Sequence, residues 1–236
     1  MSQPKYHRVL LKLSGEALAP SDGGILDFDF VTKIAKVIKK CTKAGVEIAV
    51  IVGAGNIWRG RQGRAMNHSR ADHMGMLATV INSIALQDTF IAEGLDAVVL
   101  SAVPMQTFAD TYTARGADEA LKAGKIVIFG AGLGSPYFST DTAAVLRAAE
   151  IGADCILMAK NIDAIYSDDP KKNPDAVRYS DLTYHRILDE ELRALDMTAT
   201  IFCMDNDIHG YAFGLSDPEN IYRVIMGEAV GTEIHN

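Results

Sequence analysis

Glu47-Ile48-Ala49-Val50-Ile51-Val52, running straight into Gly53-Ala54-Gly55-Asn56-Ile57-Trp58-Arg59-Gly60, is the stretch that decides the fold. The first part is a short, uninterrupted apolar run bounded by a turn signal, the pattern of a buried strand. The second part places several glycines where that strand ends, which lets backbone approach a ligand closely. Its N–H groups can face an anion, and Arg59 adds a planar cationic fork suited to phosphate. The spacing matches neither common nucleotide signature. A dinucleotide turn needs G-x-G-x-x-G, whereas the third glycine here, Gly60, comes five residues after Gly55. A P-loop needs Gly-Lys-Ser/Thr, and Gly124-Lys125 is followed by Ile126. The loop seeks phosphate on some third architecture.

Outward from this stretch the chain alternates strand and helix. His7–Leu13 reads as a strand, and residues 28–43 carry Phe30, Val31, Ile34, Val37, Ile38 and Cys41 on one helical face before Gly45. A long helix is expected from Ala71 to Glu93, with Met74, Leu77, Ile81, Ile84 and Ile91 on its buried side. Strands follow at 97–100 and 125–129, with a short helix at 119–123 between them. A second glycine-rich turn, Gly130–Ser135, leads to a helix capped near Thr140 or Asp141 and ending at Ile151, then a strand at 154–159. The tail reads as helices at 184–194, 197–205 and 218–226 with a strand at 211–215. This alternation predicts a mostly parallel sheet covered by helices on both faces, in one domain spanning 1–236.

Composition narrows the function. Of the 236 residues, 48% are hydrophobic, ample for a core, and the net charge of −7 argues against a nucleic-acid surface. Arg59, Arg61, Arg64 and Arg70 could line a local anion pocket or form a solvated basic loop. Cys41, Cys155 and Cys203 are odd in number and widely spaced, which leaves no readable disulfide framework or zinc site. No cleavage-type leader and no bilayer-length apolar run is read, so a cytoplasmic protein without membrane contact is expected.

In an open α/β sheet, ligands collect at the carboxyl ends of the strands. Four polar or glycine-rich segments fall at such ends: 12–15, 53–60, 130–141 and 160–169. Lys12 closes an apolar strand before Ser14-Gly15, where its ammonium points into a crevice or snorkels from a strand end. Asp72 and Asp141 open helices, as dipole partners or as ligand-binding carboxylates. His68 and His73 lie near the crevice but read as surface or helix-packing residues.

The strings Lys12-Leu-Ser-Gly-Glu-Ala-Leu, Gly53-Ala-Gly-Asn-Ile-Trp-Arg-Gly60, Asp72-His-Met-Gly-Met-Leu-Ala-Thr79, Gly134-Ser-Pro-Tyr-Phe-Ser-Thr-Asp141 and Asp163-Ala-Ile-Tyr-Ser-Asp-Asp-Pro170 occur in this order. In order and spacing they resemble bacterial uridylate kinases, a branch of the amino-acid kinase superfamily, over essentially the whole chain. Leu157–Asn161 and Cys203–Asp207 resemble the Gram-positive type. The resemblance implies a three-layer αβα sandwich that transfers the γ-phosphate of ATP to UMP, giving UDP and ADP for pyrimidine nucleotide synthesis.

By that resemblance Lys12, Leu13, Ser14 and Gly15 would cradle the ATP phosphates, and Gly55 and Arg59 would hold phosphates from the second loop. Lys160, Tyr166 and Asp169 would form the adenine-nucleotide side. Ala54, Asp72 and the segment Gly132-Leu133-Gly134-Ser135-Pro136-Tyr137-Phe138-Ser139 would hold UMP. Lys12 would be catalytic, with Asp141 organising it and Asp196 supporting the phosphoryl site. Mg²⁺ would arrive with ATP, without a dedicated protein ligand set. A homohexamer activated by GTP and inhibited by UTP is implied as well. Ala54 and Ala164 stand where these kinases usually carry glycine, and the Lys160-Asn161 pair shifts an ammonium by one place. His209 replaces a common proline. A same-fold kinase for CMP or an amino-acid carboxylate, and a nucleotide-binding regulator without turnover, remain alternatives.

Overall fold

The computed structural model describes residues 3–58, 63, 65–192 and 194–236. In chain order the elements are β1 (Arg8–Leu13), α1 (Phe28–Lys43), β2 (Glu47–Val52), α2 (His68–Ala92), β3 (Ala97–Ser101), β4 (Asp110–Thr111), α3 (Ala114–Lys122), β5 (Ile126–Gly130) and α4 (Thr140–Glu150). They continue with β6 (Cys155–Lys160), β7 (Ile165–Tyr166), β8 (Arg178–Tyr179), β9 (Asp181–Thr183), α5 (Tyr184–Asp189), α6 (Met197–Asp205), β10 (Gly210–Gly214), α7 (Glu219–Ile225) and β11 (Thr232–His235).

Among the described residues the main sheet has nine strands in the order β4-β3-β5-β2-β1-β6-β10-β11-β9. Every neighbouring pair is parallel except β10–β11. β1 sits centrally, with β2 on one side and β6 on the other, so the winding reverses there and opens a crevice outside the carboxyl ends of these strands. The period-2 alternation of β1 feeds two cores. Val9, Leu11 and Leu13 join α1, α2 and α7 on one face, while Leu10 joins α3, α4, α5 and α6 on the other. The result is the expected three-layer αβα sandwich. Cys41, Cys155 and Cys203 are buried free thiols, and burial pushes Cys41 up to about 12 and Cys203 up to about 11. They are inert core residues.

Several expectations shift. α2 starts at His68 because Asn67 caps it, its side chain accepting from Arg70 N at 3.3 Å. α3 begins at Ala114 rather than 119 because Thr113 caps Gly116 N at 3.0 Å. α5 stops at Asp189, well short of 194. The β7–β8 pair, the edge strands β4 and β9, and the adjoining β11 are too short to stand out by periodicity.

The larger correction concerns α2. Met74, Leu77, Ile81, Ile84 and Ile91 are exposed, not buried. The buried side carries Ala78, Thr79, Asn82, Ser83, Leu86 and Phe90. Apolar residues surround this helix, so periodicity does not select a face. Small and hydrogen-bonding residues do: Ser83 Oγ donates to Thr79 O at 2.8 Å, and Asn82 Nδ2 donates to Gly53 O at 2.8 Å. α2 also has 25 residues with enough apolar character to cross a bilayer by length and composition alone, contrary to the reading above. Its contacts with α1, β2, β3 and β5 place that side within the folded sandwich.

Candidate active site

Lys12 has the parity of Leu10, so it faces the layer containing α4. Its Nζ lies 2.6 Å from Asp141 Oδ1, one residue into α4. Burial pushes the Asp141 carboxyl up, but the ammonium groups of Lys12 and Lys160 outweigh it and hold the carboxyl below its ordinary value. Lys160 closes β6, the strand beside β1, and donates to Ala194 O. Burial and the nearby charge of Lys12 press Lys160 down from 10.5 to about 8, against the pull of Asp141. Lys160 stands within electrostatic reach of the Lys12–Asp141 ion pair, leaving a cationic excess at the strand ends. That balance suits a polyphosphate.

A pH dependence follows. Below about 8 Lys160 is cationic and attracts phosphate; above it the charge is lost. The kcat/KM for ATP, which reports the free enzyme, is expected to fall on a basic limb near pH 8, and Lys160→Met is expected to remove that limb. A profile flat from pH 7 to roughly 9.5 would exclude Lys160 from phosphate binding. Stability moves oppositely: the unfolded chain holds this proton up to 10.5, so this group's contribution rises as pH climbs from about 8.

The first two loops interlock. Gly53 N donates to Leu13 O at 3.0 Å, and a Cβ on Gly15 would meet Gly53 O at 2.4 Å and Asn56 Oδ1 at 2.5 Å. Glycine at 15 is therefore demanded by close approach. Leu13 is fully buried in the core, so any nucleotide contact from it is confined to backbone. A Cβ on Gly55 would meet only the Glu16 side chain, which would have to shift. Asn82, 0% exposed, locks the loop to α2: it exchanges amide hydrogen bonds with Asn56 at 2.8 and 3.0 Å and also holds Gly53 O. Trp58 Nε1 donates to Ala71 O at 2.9 Å. Arg59, with Gly60, Arg61 and Arg64, lies outside the described residues.

A cavity of about 140 Å³ opens beside this loop. Ala54, Asp72, Gly132, Leu133, Ser135, Phe138 and Ser139 line it, joined by Gly75, Met76 and Thr79 from α2. Its roof loop turns through left-handed residues Ala131, Gly132, Gly134 and Tyr137. Gly134 combines φ +81 with Ala102 O only 3.1 Å from a would-be Cβ. Thr79 Oγ1 accepts from Ala131 N at 3.0 Å and pins the loop's start. Ala54 is absent from the left-handed residues, so its methyl needs no strained backbone and forms part of the cavity wall. Gly134, Pro136 and Tyr137 stand outside the lining, and Tyr137 is exposed.

Asp196 does not touch Lys12. It caps α6, accepting from Ala199 N at 2.8 Å, and takes hydrogen bonds from Ser139 Oγ and, at 3.1 Å, from Thr142 Oγ1. Ser139 in turn caps α4 through Asp141 N and Thr142 N. Asp196 thus ties two helix N-termini together and fixes the turn that presents Asp141. A second cavity, about 470 Å³, is lined by Lys160, Ala164, Tyr166, Asp169, Glu191 and Leu192, among others. Tyr166 Oη donates to Asp163 at 2.9 Å. The Lys12–Asp141–Lys160 cluster borders both cavities: Lys160 lines the larger, and Thr140, beside Asp141, lines the smaller.

No group of three or more His, Cys, Asp or Glu among the described residues is arranged to hold a metal. Asp141 is the carboxylate in the cationic cluster, and Mg²⁺ typically binds through one or two carboxylates plus substrate phosphates. A Mg²⁺ carried in with a nucleotide would need little from the protein, and Asp141 would be the residue of this cluster to hold it.

Two cavities bordered by a lysine–carboxylate–lysine cluster, at the switch point of a parallel sheet, define a phosphoryl-transfer type of site. The sequence pattern of the amino acid kinase family matches residues 7–213, and this chain belongs to that family. The chain is 34% identical to the UMP kinase of Bacillus anthracis, with a TM-score of 0.94 over 98% of this chain and 96% of that one. Against the Ureaplasma parvum UMP kinase the identity is also 34%, with a TM-score of 0.93 over 98% of this chain and all of the other (100%). The Archaeoglobus fulgidus uridylate kinase is more distant, at 27% identity and a TM-score of 0.74 over 96% of this chain and 99% of that one.

The sequence reading missed Asn82, Thr79 and the partnership of His68 with Asp72. Asn82-Ser83 interrupts an otherwise apolar stretch of α2, and that interruption was the available signal.

Proposed function

We propose that the chain is a UMP kinase, moving the γ-phosphate of ATP to UMP in pyrimidine nucleotide synthesis. The observation that carries this is the Lys12–Asp141–Lys160 cluster between a small cavity walled by Asp72 and a larger one walled by Tyr166 and Asp169. UMP takes the first and ATP the second. Lys12, tethered by Asp141, travels with charge developing on the transferring phosphoryl; Lys160 neutralises the donor side. Gly15 and Gly55 offer backbone N–H groups to phosphate oxygens. The acceptor is already a phosphate oxygen, so alignment and charge neutralisation suffice without a strong general base. Mg²⁺ bound with ATP supplies further charge neutralisation.

The same reading comprises a single catalytic domain over 1–236, a cytoplasmic location, a homohexamer, GTP activation and UTP inhibition. The exposed apolar stripe Leu77, Ile81, Ile84 and Ile91 on α2 supports self-association.

Purified protein with Mg-ATP and, separately, UMP, CMP, AMP and acetylglutamate tests the reading through ADP release. UMP-dependent turnover is expected; turnover only with another acceptor would overturn it. Asp72→Ala is expected to raise the KM for UMP about 10- to 100-fold, the worth of a hydrogen bond to a charged group, with the KM for ATP little changed. An effect confined to ATP would remove Asp72 from the acceptor site.

A further inference from the structure

Outside the cluster just described, an exposed ring pair stands at the mouth of the acceptor cavity. The His68 and Tyr137 rings stack with centroids 4.6 Å apart and planes within 10°. His68 opens α2, and Tyr137 belongs to the roof loop. Both converge on one carboxylate oxygen. Asp72 Oδ2 accepts the backbone N–H of Tyr137 at 2.8 Å and lies 3.2 Å from His68 Nδ1, one turn along α2. Tyr137 holds φ +70, a conformation costly for a bulky residue unless its surroundings enforce it. The Asp72 hydrogen bond and the His68 stack both hold it. Neither belongs to the core: the His68 side chain is 64% exposed and Tyr137 is 70% exposed. Such contacts do little for folding, yet they join the two elements that wall the cavity.

We propose that His68 is a positioning residue for the acceptor nucleotide. It fixes the Asp72 carboxylate with Oδ2 occupied, and it pins Tyr137 so that the roof loop stays over the cavity. Among the described residues no hydrogen bond engages Asp72 Oδ1, which leaves that oxygen for a hydroxyl of the incoming nucleotide. The imidazole does not touch reacting atoms; it acts through Asp72 and Tyr137. This role rests on the acceptor assignment made above.

Steady-state kinetics on His68→Ala, His68→Phe and His68→Asn test it, with Tyr137→Ala and the double variant closing a cycle. The wild type is first run with UMP, CMP and AMP, and the variants are then read on whichever monophosphate it turns over. His68→Ala is expected to raise the acceptor KM about 5- to 10-fold with kcat and the KM for ATP within about twofold, the size of a lost aromatic stack acting on binding alone. His68→Phe, which keeps the stack, and His68→Asn, which keeps a donor for Asp72, should each recover part of the loss. In the Tyr137→Ala background the His68→Ala effect should shrink, since contacting residues couple. An acceptor KM within twofold of wild type, or both KM values rising together, would overturn the role. Full recovery by His68→Phe would overturn the limb through Asp72. Turnover of CMP or AMP but not UMP would overturn the acceptor and leave the His68 ratio readable; no turnover of any would overturn both.

Discussion

Lys12→Met is expected to lower kcat by about 10²- to 10³-fold, the usual cost of removing one preorganised group from developing transition-state charge. UMP affinity, read by calorimetry, should stay within about threefold, because the side chain lies at the cluster and not among the residues lining the smaller cavity. Lys160 remains within electrostatic reach of Asp141 in this variant, so the carboxylate keeps a positive charge nearby and the fold should persist. The expected pattern is therefore a turnover defect with binding preserved. Unchanged kcat would remove Lys12 from the chemistry, and loss of UMP binding would move it into the acceptor site.

Asn82→Leu should produce the largest loss of stability, although it is nearly isosteric and makes α2 more apolar. The substitution takes away the partner of Gly53 O and of Asn56 Oδ1, both half-buried, while Asn56 Nδ2 keeps Ile25 O at 2.8 Å. At about 1–3 kcal/mol for each unsatisfied buried group, a total near 3 kcal/mol is expected. For a chain of this size that corresponds to a fall of roughly 6–12 °C in thermal midpoint. Differential scanning calorimetry checks it, and a shift below about 2 °C would show that the amide ladder contributes little. The same bonds hold the second phosphate loop against Gly15, so residual folded protein should also bind ATP more weakly.

The two α2 findings share one cause. A helix with apolar residues all round gives no amphipathic stripe, and the face that packs is chosen by what its small polar residues can reach. Thr79 reaches Ala131 and Asn82 reaches Gly53, each on a different strand-end loop. Those loops lie far from α2 residues 79–82 along the chain, so the partners are invisible in one dimension. Leu77, Ile81 and Ile84, larger and purely apolar, are consequently left outside. The Lys12–Asp141 pair was more legible, because a lysine ending one parallel strand and an acid opening a helix both fall at the same edge of an α/β sheet. Asp196 was legible as a residue but not as a part: its role as a double helix tether depends on α4 and α6 starting side by side.

The alternating strand and helix pattern, the apolar run 47–52 and the glycine loop after it determined the parallel αβα sandwich and the edge where ligands bind, because strand parity and turn chemistry are local properties. Only the tertiary structure decided which face of α2 is buried, that Lys160 stands close enough to Lys12 to be pressed down to about 8, and that His68, Asp72 and Tyr137 form one clasp. These depend on distances between residues remote in sequence, and on the burial and charge that such closeness creates.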